Sequence, residues 1–377
     1  MHSKFRVADL LIVLVPLAVI VGAIVLLASS PRVQLAGTGS IAPATPWLTI
    51  ADTATLERVA FGSCLDQAYP EPIWNAVIAA KPQLFLMMGD MVYGDVTNLE
   101  DPAIPELRRA YRVQARQAEL ARARAAFPFL AIWDDHDYGL NDAGGEFPLK
   151  QATLSAFREF WQLEAPQQHE GLYHSRIIGP AGKRVQLIFL DNRWFRSTLK
   201  RKTAMERAAS AVRGPYAPDD SAEKTMLGPE QWAWLEGELK KPAEIRLLVS
   251  SVQTIATGHA LEHWGNFPKE RERLFQLLKR SGAKGLMVLS GDRHWAAIYA
   301  EDDALAYRLI EVTASALNKP APATDSPEPA RISDAYNAPN FGLLEIDWAG
   351  RRLKATINGV TEKDVLAIEV PFAKLGL

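Results

Sequence analysis

The chain has 377 residues, of which 48% are hydrophobic, and a formal net charge of −2. That length supports one large domain or two ordinary ones, and the near balance of charge gives no case for a nucleic-acid-binding surface. Cys64 is the single cysteine, so a disulfide within the chain is excluded.

The first feature in chain order is "LLIVLVPLAVIVGAIVLLA", Leu10 to Ala28, which carries no charge. About 20 apolar residues cross a bilayer core of roughly 30 Å. Lys4 and Arg6 precede the run and favour an N-terminus inside and the remainder outside. Residues 1–30 are therefore expected to be a single-pass anchor, with residues 10–28 in the membrane and the rest on the extracytoplasmic (periplasmic) side. The alternative is a cleaved signal segment and a secreted chain. Residues 31–54 are small, polar and proline-containing and read as a linker. Residues 55–377 read as one domain.

Within that domain, short apolar runs recur and each ends in polar residues. "LERVAFGSC" ends at Cys64, "PQLFLMMGD" at Asp90 and "FPFLAIWDD" at Asp134 and Asp135. "RVQLIFLD" ends at Asp191, "IRLLVSS" at Ser251 and "GLMVLSGD" at Asp292. The runs are near-continuous rather than alternating, as expected of central strands covered on both faces. Helical patterns separate them: "EPIWNAVIAA", "IPELRRAYRVQARQAELARARAAF", "LGPEQWAWLEGELKK" and "KERERLFQLLKRSG", the last closed by Gly282 as a C-cap. Strand and helix in alternation predict an α/β sheet. The tail, "FGLLEIDWAGRRLKATING" and "DVLAIEV", predicts consecutive antiparallel strands around an Ala-Gly turn. Residues 197–227 and 315–340 read as long loops, which in compact domains often serve the site.

In open α/β sheets, ligands bind beyond the carboxyl ends of the strands. Cys64, Asp90, Asp134, Asp135, Asp191 and Asp292 all fall at such ends. Carboxylates gathered in one crevice repel one another, and a polyvalent cation relieves that repulsion. Taken alone, Cys64 is either a small core residue or a thiolate ligand. Tyr93, three residues after Asp90, is either a buried phenol or a ligand for a hard ion. In "WDDHDYGLND", Asp135 is a candidate ligand, His136 an acid and Asn141 an oxygen ligand, while Asp137 and Asp142 shape the loop; the alternative is helix capping. Asp292 and His294 stand two apart, which places both on one side of an extended segment. Arg193 either steadies a phosphate oxygen or pairs structurally with Asp191. His169, His174 and His259 lack ligand-like spacing.

In this order, "FGSCLDQ", "GDMVYGD", "IWDDHDYGLND", "GLYHSRIIGPAGKRVQLIFLDNR", "MLGPEQWAWL", "HWGNFPKERERLF" and "LSGDRHW" resemble the alkaline phosphatase D (PhoD-like) family of metallophosphoesterases. The resemblance covers roughly residues 56–300. It implies a four-layer α/β/β/α sandwich of two mixed sheets, here preceded by one transmembrane helix. It implies hydrolysis of phosphomonoesters or phosphodiesters at a centre of Fe3+ and Ca2+, with other divalent metals as alternatives. Carried onto this chain, the metal residues are Cys64, Asp90, Tyr93, Asp135, Asn141, Asp292 and His294, and His136 and Arg193 are catalytic. A phospholipase-like phosphodiesterase acting on membrane lipids, or a non-catalytic phosphate or metal binder, are the competing functions.

Overall fold

The computed structural model describes residues 39–163, 169–323 and 328–377. The compact unit that carries the site spans Ser40–Leu377. Its strands form two six-stranded mixed sheets. In the first, the spatial order is β12 (Leu366–Pro371), β11 (Arg352–Gly359), β10 (Asn340–Asp347), β1 (Arg58–Gly62), β2 (Leu84–Met88) and β3 (Phe129–Ile132). The second runs β4 (His174–Ile178), β5 (Val185–Leu190), β6 (Ile245–Ser250), β7 (Leu286–Ser290), β9 (Leu309–Ala314) and β8 (Ala296–Glu301). β1, β2 and β3 are parallel, as are β5, β6, β7 and β9; the remaining pairs are antiparallel.

Eight α-helices are described: α1 (Ile73–Ala80), α2 (Pro105–Gln114), α3 (Ala118–Ala126), α4 (Asp135–Tyr138), α5 (Lys150–Trp161), α6 (Ala204–Ala209), α7 (Gly228–Leu239) and α8 (Pro268–Ser281). The two-residue period of the strands sorts their side chains between two cores. Leu187, Phe189, Leu247, Val249, Met287 and Leu289 belong to the main core, which they share with the first sheet. Ile188, Leu190, Leu248, Leu286 and Val288 point the other way, into a second core with Trp232 and Leu235 of α7 and Leu274 and Leu278 of α8. The second sheet is therefore apolar on both faces, which is why its central strands read as continuous apolar runs.

All six strand-end runs, the antiparallel tail and the four helical patterns appear as elements. The pattern over 104–127 is divided into α2 and α3, because Ala115–Gln117 turn the chain. There the Gln117 amide donates to Gln67 O at 2.9 Å. Part of the segment expected to be linker belongs to the unit: Ile41 is fully buried, and the Trp47 indole stacks on Trp161 with centroids 4.3 Å apart.

The expectation of a membrane-spanning helix is corrected. Residues 10–28 lie outside the described residues, and among those described no helix is long and apolar enough to cross a membrane. The longest, α8, has 14 residues, about 21 Å at 1.5 Å per residue against a core of roughly 30 Å. It is also charged along one face. The architecture that stands is the mixed two-sheet α/β fold, and the single-pass membrane placement falls with the helix.

Candidate metal centre

The site forms where the parallel strands of both sheets end. Ser63, just after β1, pairs in parallel with Ser315, just after β9. This bridge brings the carboxyl ends of the two sheets to one place. Four residues there hold left-handed backbone conformations: Cys64 (φ 60°), Asp90 (φ 52°), Asp292 (φ 66°) and His294 (φ 60°). Such conformations cost of order 1–3 kcal/mol each in non-glycine residues and persist at functional sites where the surroundings enforce them. The segment Asp292–His294 is thus not extended as its spacing suggested. Its two left-handed turns still bring both side chains to the site. Close packing is allowed by Gly89, where a Cβ would stand 2.3 Å from Asp134 Cβ.

Four overlapping groups of metal-ligating atoms result, each within 4.8 Å: Cys64–Asp90–His294, Asp90–Asp135–His136, Asp134–Asp135–Asp292 and Asp135–Asp142–Glu262. Tyr93 belongs with the first. Its hydroxyl donates to Asp90 Oδ2 at 3.0 Å and stands 3.3 Å from His294 Nε2. The Cys64 Sγ lies 3.6 Å from the same Asp90 oxygen and 3.1 Å from Ser315 Oγ. His294 Nδ1 is 2.6 Å from the Lys319 carbonyl and so donates there, which leaves Nε2 as the bare, ligand-ready nitrogen. The Lys319 ammonium pairs with Asp66 at 2.6 Å and sits 3.5 Å from the Tyr93 ring centre.

The electrostatics favour a bound cation. Burial, then Asp135 and Cys64, push Asp90 well above the usual carboxylate range. Burial also raises Asp134 and Asp292, against the opposing pull of Arg193 and Arg293 respectively. Burial lifts the Cys64 thiol and, with Asp90, the Tyr93 phenol. Asp134 Oδ2 is buried with no hydrogen-bond partner among the described residues. A bound polyvalent cation removes these penalties together. The donor set fits one: a thiolate, a phenol, an imidazole and a shared carboxylate on one side, carboxylates alone on the other.

His136 is different. Burial disfavours its charge, yet Asp135, Asp90 and Asp95 outweigh burial and push it up to about 11. Its Nδ1 stands 2.7 Å from Asp95 Oδ1, and its ring packs on Tyr93 with centroids 4.2 Å apart. Asp135 is held below the usual range because His136 and Arg193 overcome its burial.

Of the residues singled out from sequence, Cys64, Asp90, Tyr93, Asp135, His136, Asp292 and His294 are brought together. Asn141 is exposed; the carboxylate that reaches Asp135 and Glu262 is that of its neighbour Asp142. Arg193 is wholly buried, with Nε 2.7 Å from Asp134 Oδ1 and Nη1 2.7 Å from Glu262 Oε2. Its partners are those two carboxylates, not Asp191. The Asp191 side chain instead accepts from Trp133 Nε1 at 2.9 Å and from backbone amides. Asp137 shapes the loop, accepting from the Val92 and Asp134 amides at 3.3 Å each. Glu262, Asp95, Arg293 and Lys319 were not anticipated. Asp95 closes the marked motif "GDMVYGD", and Arg293 stands between Asp292 and His294 in "LSGDRHW"; Glu262 and Lys319 come from irregular segments.

The fold has close counterparts. It matches the structure of PhoD with a TM-score of 0.64 at 18% identity, over 87% of this chain and 70% of that one. A purple acid phosphatase from yellow lupin (Lupinus luteus) seeds matches with a TM-score of 0.56 at 10% identity, over 87% and 56%. The class is therefore the mixed two-sheet α/β fold that those two structures share, with a carboxylate-rich strand-end site. The model of the PhoD-like phosphatase family matches residues 59–356, and the chain belongs to that family. It is 25% identical over 280 residues to alkaline phosphatase D of Bacillus subtilis (strain 168), over 63% of this chain and 46% of the relative. The chain thus spans about half the length of the curated relative it matches.

Proposed function

We propose that this chain is a metal-dependent phosphoesterase acting on phosphomonoesters, phosphodiesters or both. The observation that carries the reading is the convergence of Cys64, Asp90, Tyr93, Asp135, Asp292 and His294 at the joined strand ends of the two sheets. Cys64, Tyr93, Asp90 and His294 would hold a ferric ion, and Asp90, Asp134, Asp135 and Asp292 a calcium or other divalent ion. When bound, these ions supply the positive charge that a phosphoryl transition state requires and lower the pKa of water.

The protein's own groups do the rest. Asp90 stands in both ligand sets and fixes their separation. Arg193 works from behind, holding Asp134 and Glu262 in place. His136, oriented by Asp95, would give a proton to the leaving alkoxide, a step worth roughly 10²–10⁴-fold in rate.

The test pairs elemental analysis with turnover. The purified full chain should contain iron and a divalent ion and should hydrolyse para-nitrophenyl phosphate or bis(para-nitrophenyl) phosphate. Chelation should abolish that activity. Asp90→Ala should lose both metal and turnover; a variant that retains full activity sinks the assignment.

A further inference from the structure

A cavity of about 590 Å³ lies between the segments 202–218 and 257–272. Backbone hydrogen bonds tie these segments together, from Tyr216 N to Ala260 O at 2.9 Å and from Asp219 N to Asn266 O at 2.8 Å. The walls combine apolar surface from Val212 and Pro218 and the Tyr216 ring with a polar lining that includes Lys202, His259, His263, Arg271 and Glu272. His263 Nδ1 stands 2.9 Å from Leu261 O and donates there, so Nε2 is an acceptor. Burial holds His263 down to about 4, which keeps the ring neutral. Lys202 Nζ donates to Ser210 Oγ at 2.8 Å and to Val212 O at 3.1 Å, and an ammonium has a third proton to give.

The cavity adjoins the metal centre through its own wall. The Tyr216 hydroxyl donates to Asp142 Oδ2 at 2.6 Å. The Asp142 carboxylate lies within 4.8 Å of those of Asp135 and Glu262, and Glu262 directly precedes His263. One tyrosine side chain therefore separates the cavity from the carboxylates of the site.

We propose that this cavity binds the organic arm of the phosphoester, taking a planar polar ring that offers both a hydrogen-bond donor and an acceptor, as a nucleobase does. The inference rests on the phosphoesterase reading and names the substrate class. A volume of this size lies within the usual range for small-molecule sites, roughly 300–1,000 Å³. His263 Nε2 would accept from a ring N–H, Lys202 would donate to a ring carbonyl, and Tyr216 would supply the flat face.

The test compares two diesters that release the same chromophore, thymidine para-nitrophenyl phosphate and bis(para-nitrophenyl) phosphate, on the full metal-loaded chain. The wild type should favour the thymidine ester roughly tenfold in kcat/KM, and His263→Phe and Lys202→Met should each remove about fivefold of that preference through KM. Turnover of the bis ester should stay within about twofold in both variants, which also reports that they are folded. Equal kcat/KM for the two esters in the wild type, or variants that slow both esters alike, overturn the cavity assignment. Turnover of para-nitrophenyl phosphate with neither diester hydrolysed overturns the cavity assignment alone, whereas failure on all three overturns the phosphoesterase reading and the cavity assignment with it.

Discussion

Arg193 is a guanidinium with no exposed surface, and its charge is balanced by Asp134 and Glu262. Arg196 shares Glu262 at 2.8 Å, and the Ser251 hydroxyl donates to Asp134 at 2.6 Å. Removing one partner of such a cluster leaves buried charges uncompensated. Arg193→Met should therefore destabilise the protein by about 3–5 kcal/mol in denaturant unfolding. Arg193→Lys should rescue little, because one ammonium cannot serve both carboxylates in the geometry of the fork. His136 makes a separate prediction. His136→Asn should lower kcat by roughly 10²–10⁴-fold while metal content is retained. Asp95→Asn, which loosens the ring without removing it, should lower kcat less. Undiminished kcat in His136→Asn would show that the acid is not His136. The candidate ligands Cys64, Asp90, Asp135 and Asp292 were legible because each ends an apolar run, and Tyr93 and His294 follow within three residues of one. Asp95 and Asp142 were not recognised as partners, because loop residues carry no periodicity to show which carboxylate faces inward.

At the scale of elements, the strand ends depend on close backbone approach. Gly89 has φ 102°, and a Cβ there would meet Asp134 Cβ at 2.3 Å and Asp134 N at 2.9 Å. Gly89→Ala therefore forces β2 away from the turn that begins α4. The expected outcome is loss of stability of the order of 1–3 kcal/mol and much weaker metal retention during dialysis. Unchanged metal content would show that the Asp90 and Asp134–Asp135 segments are not set by this contact. The central strands were readable because burial on both faces leaves long apolar runs. β4, β8 and β9 were not. β4 is an edge strand with largely half-buried residues. β8 has alanine at three of its six positions, and β9 carries Glu311 at its centre. That carboxylate is fully buried and accepts from the Thr254 and Ile255 amides at 2.9 and 2.6 Å. A charge inside a strand hides the strand from any apolar pattern, and its partners lie some 56 residues away.

At the scale of the whole molecule, the packing of the helices couples stability to pH away from the metal centre. Glu71 is fully buried beside α1 and accepts from Trp74 Nε1 and, across to α2, from Gln114 Nε2, both at 2.8 Å. Burial outweighs these two hydrogen bonds and pushes its carboxyl from 4.5 to about 7. The folded protein therefore holds this proton over a pH range in which the unfolded chain has released it. The associated stability is fully present below about pH 4.5 and is lost as pH rises through about 7. At 1.36 kcal/mol per pH unit the change is on the order of 3 kcal/mol. Glu71→Gln keeps the shape and removes the titration. The variant should gain on the wild type by roughly that amount between pH 5 and pH 8, measured by urea unfolding with the metals held constant. Parallel stability curves for the two proteins would show that Glu71 is ionised in the fold, its charge held by Trp74 and Gln114.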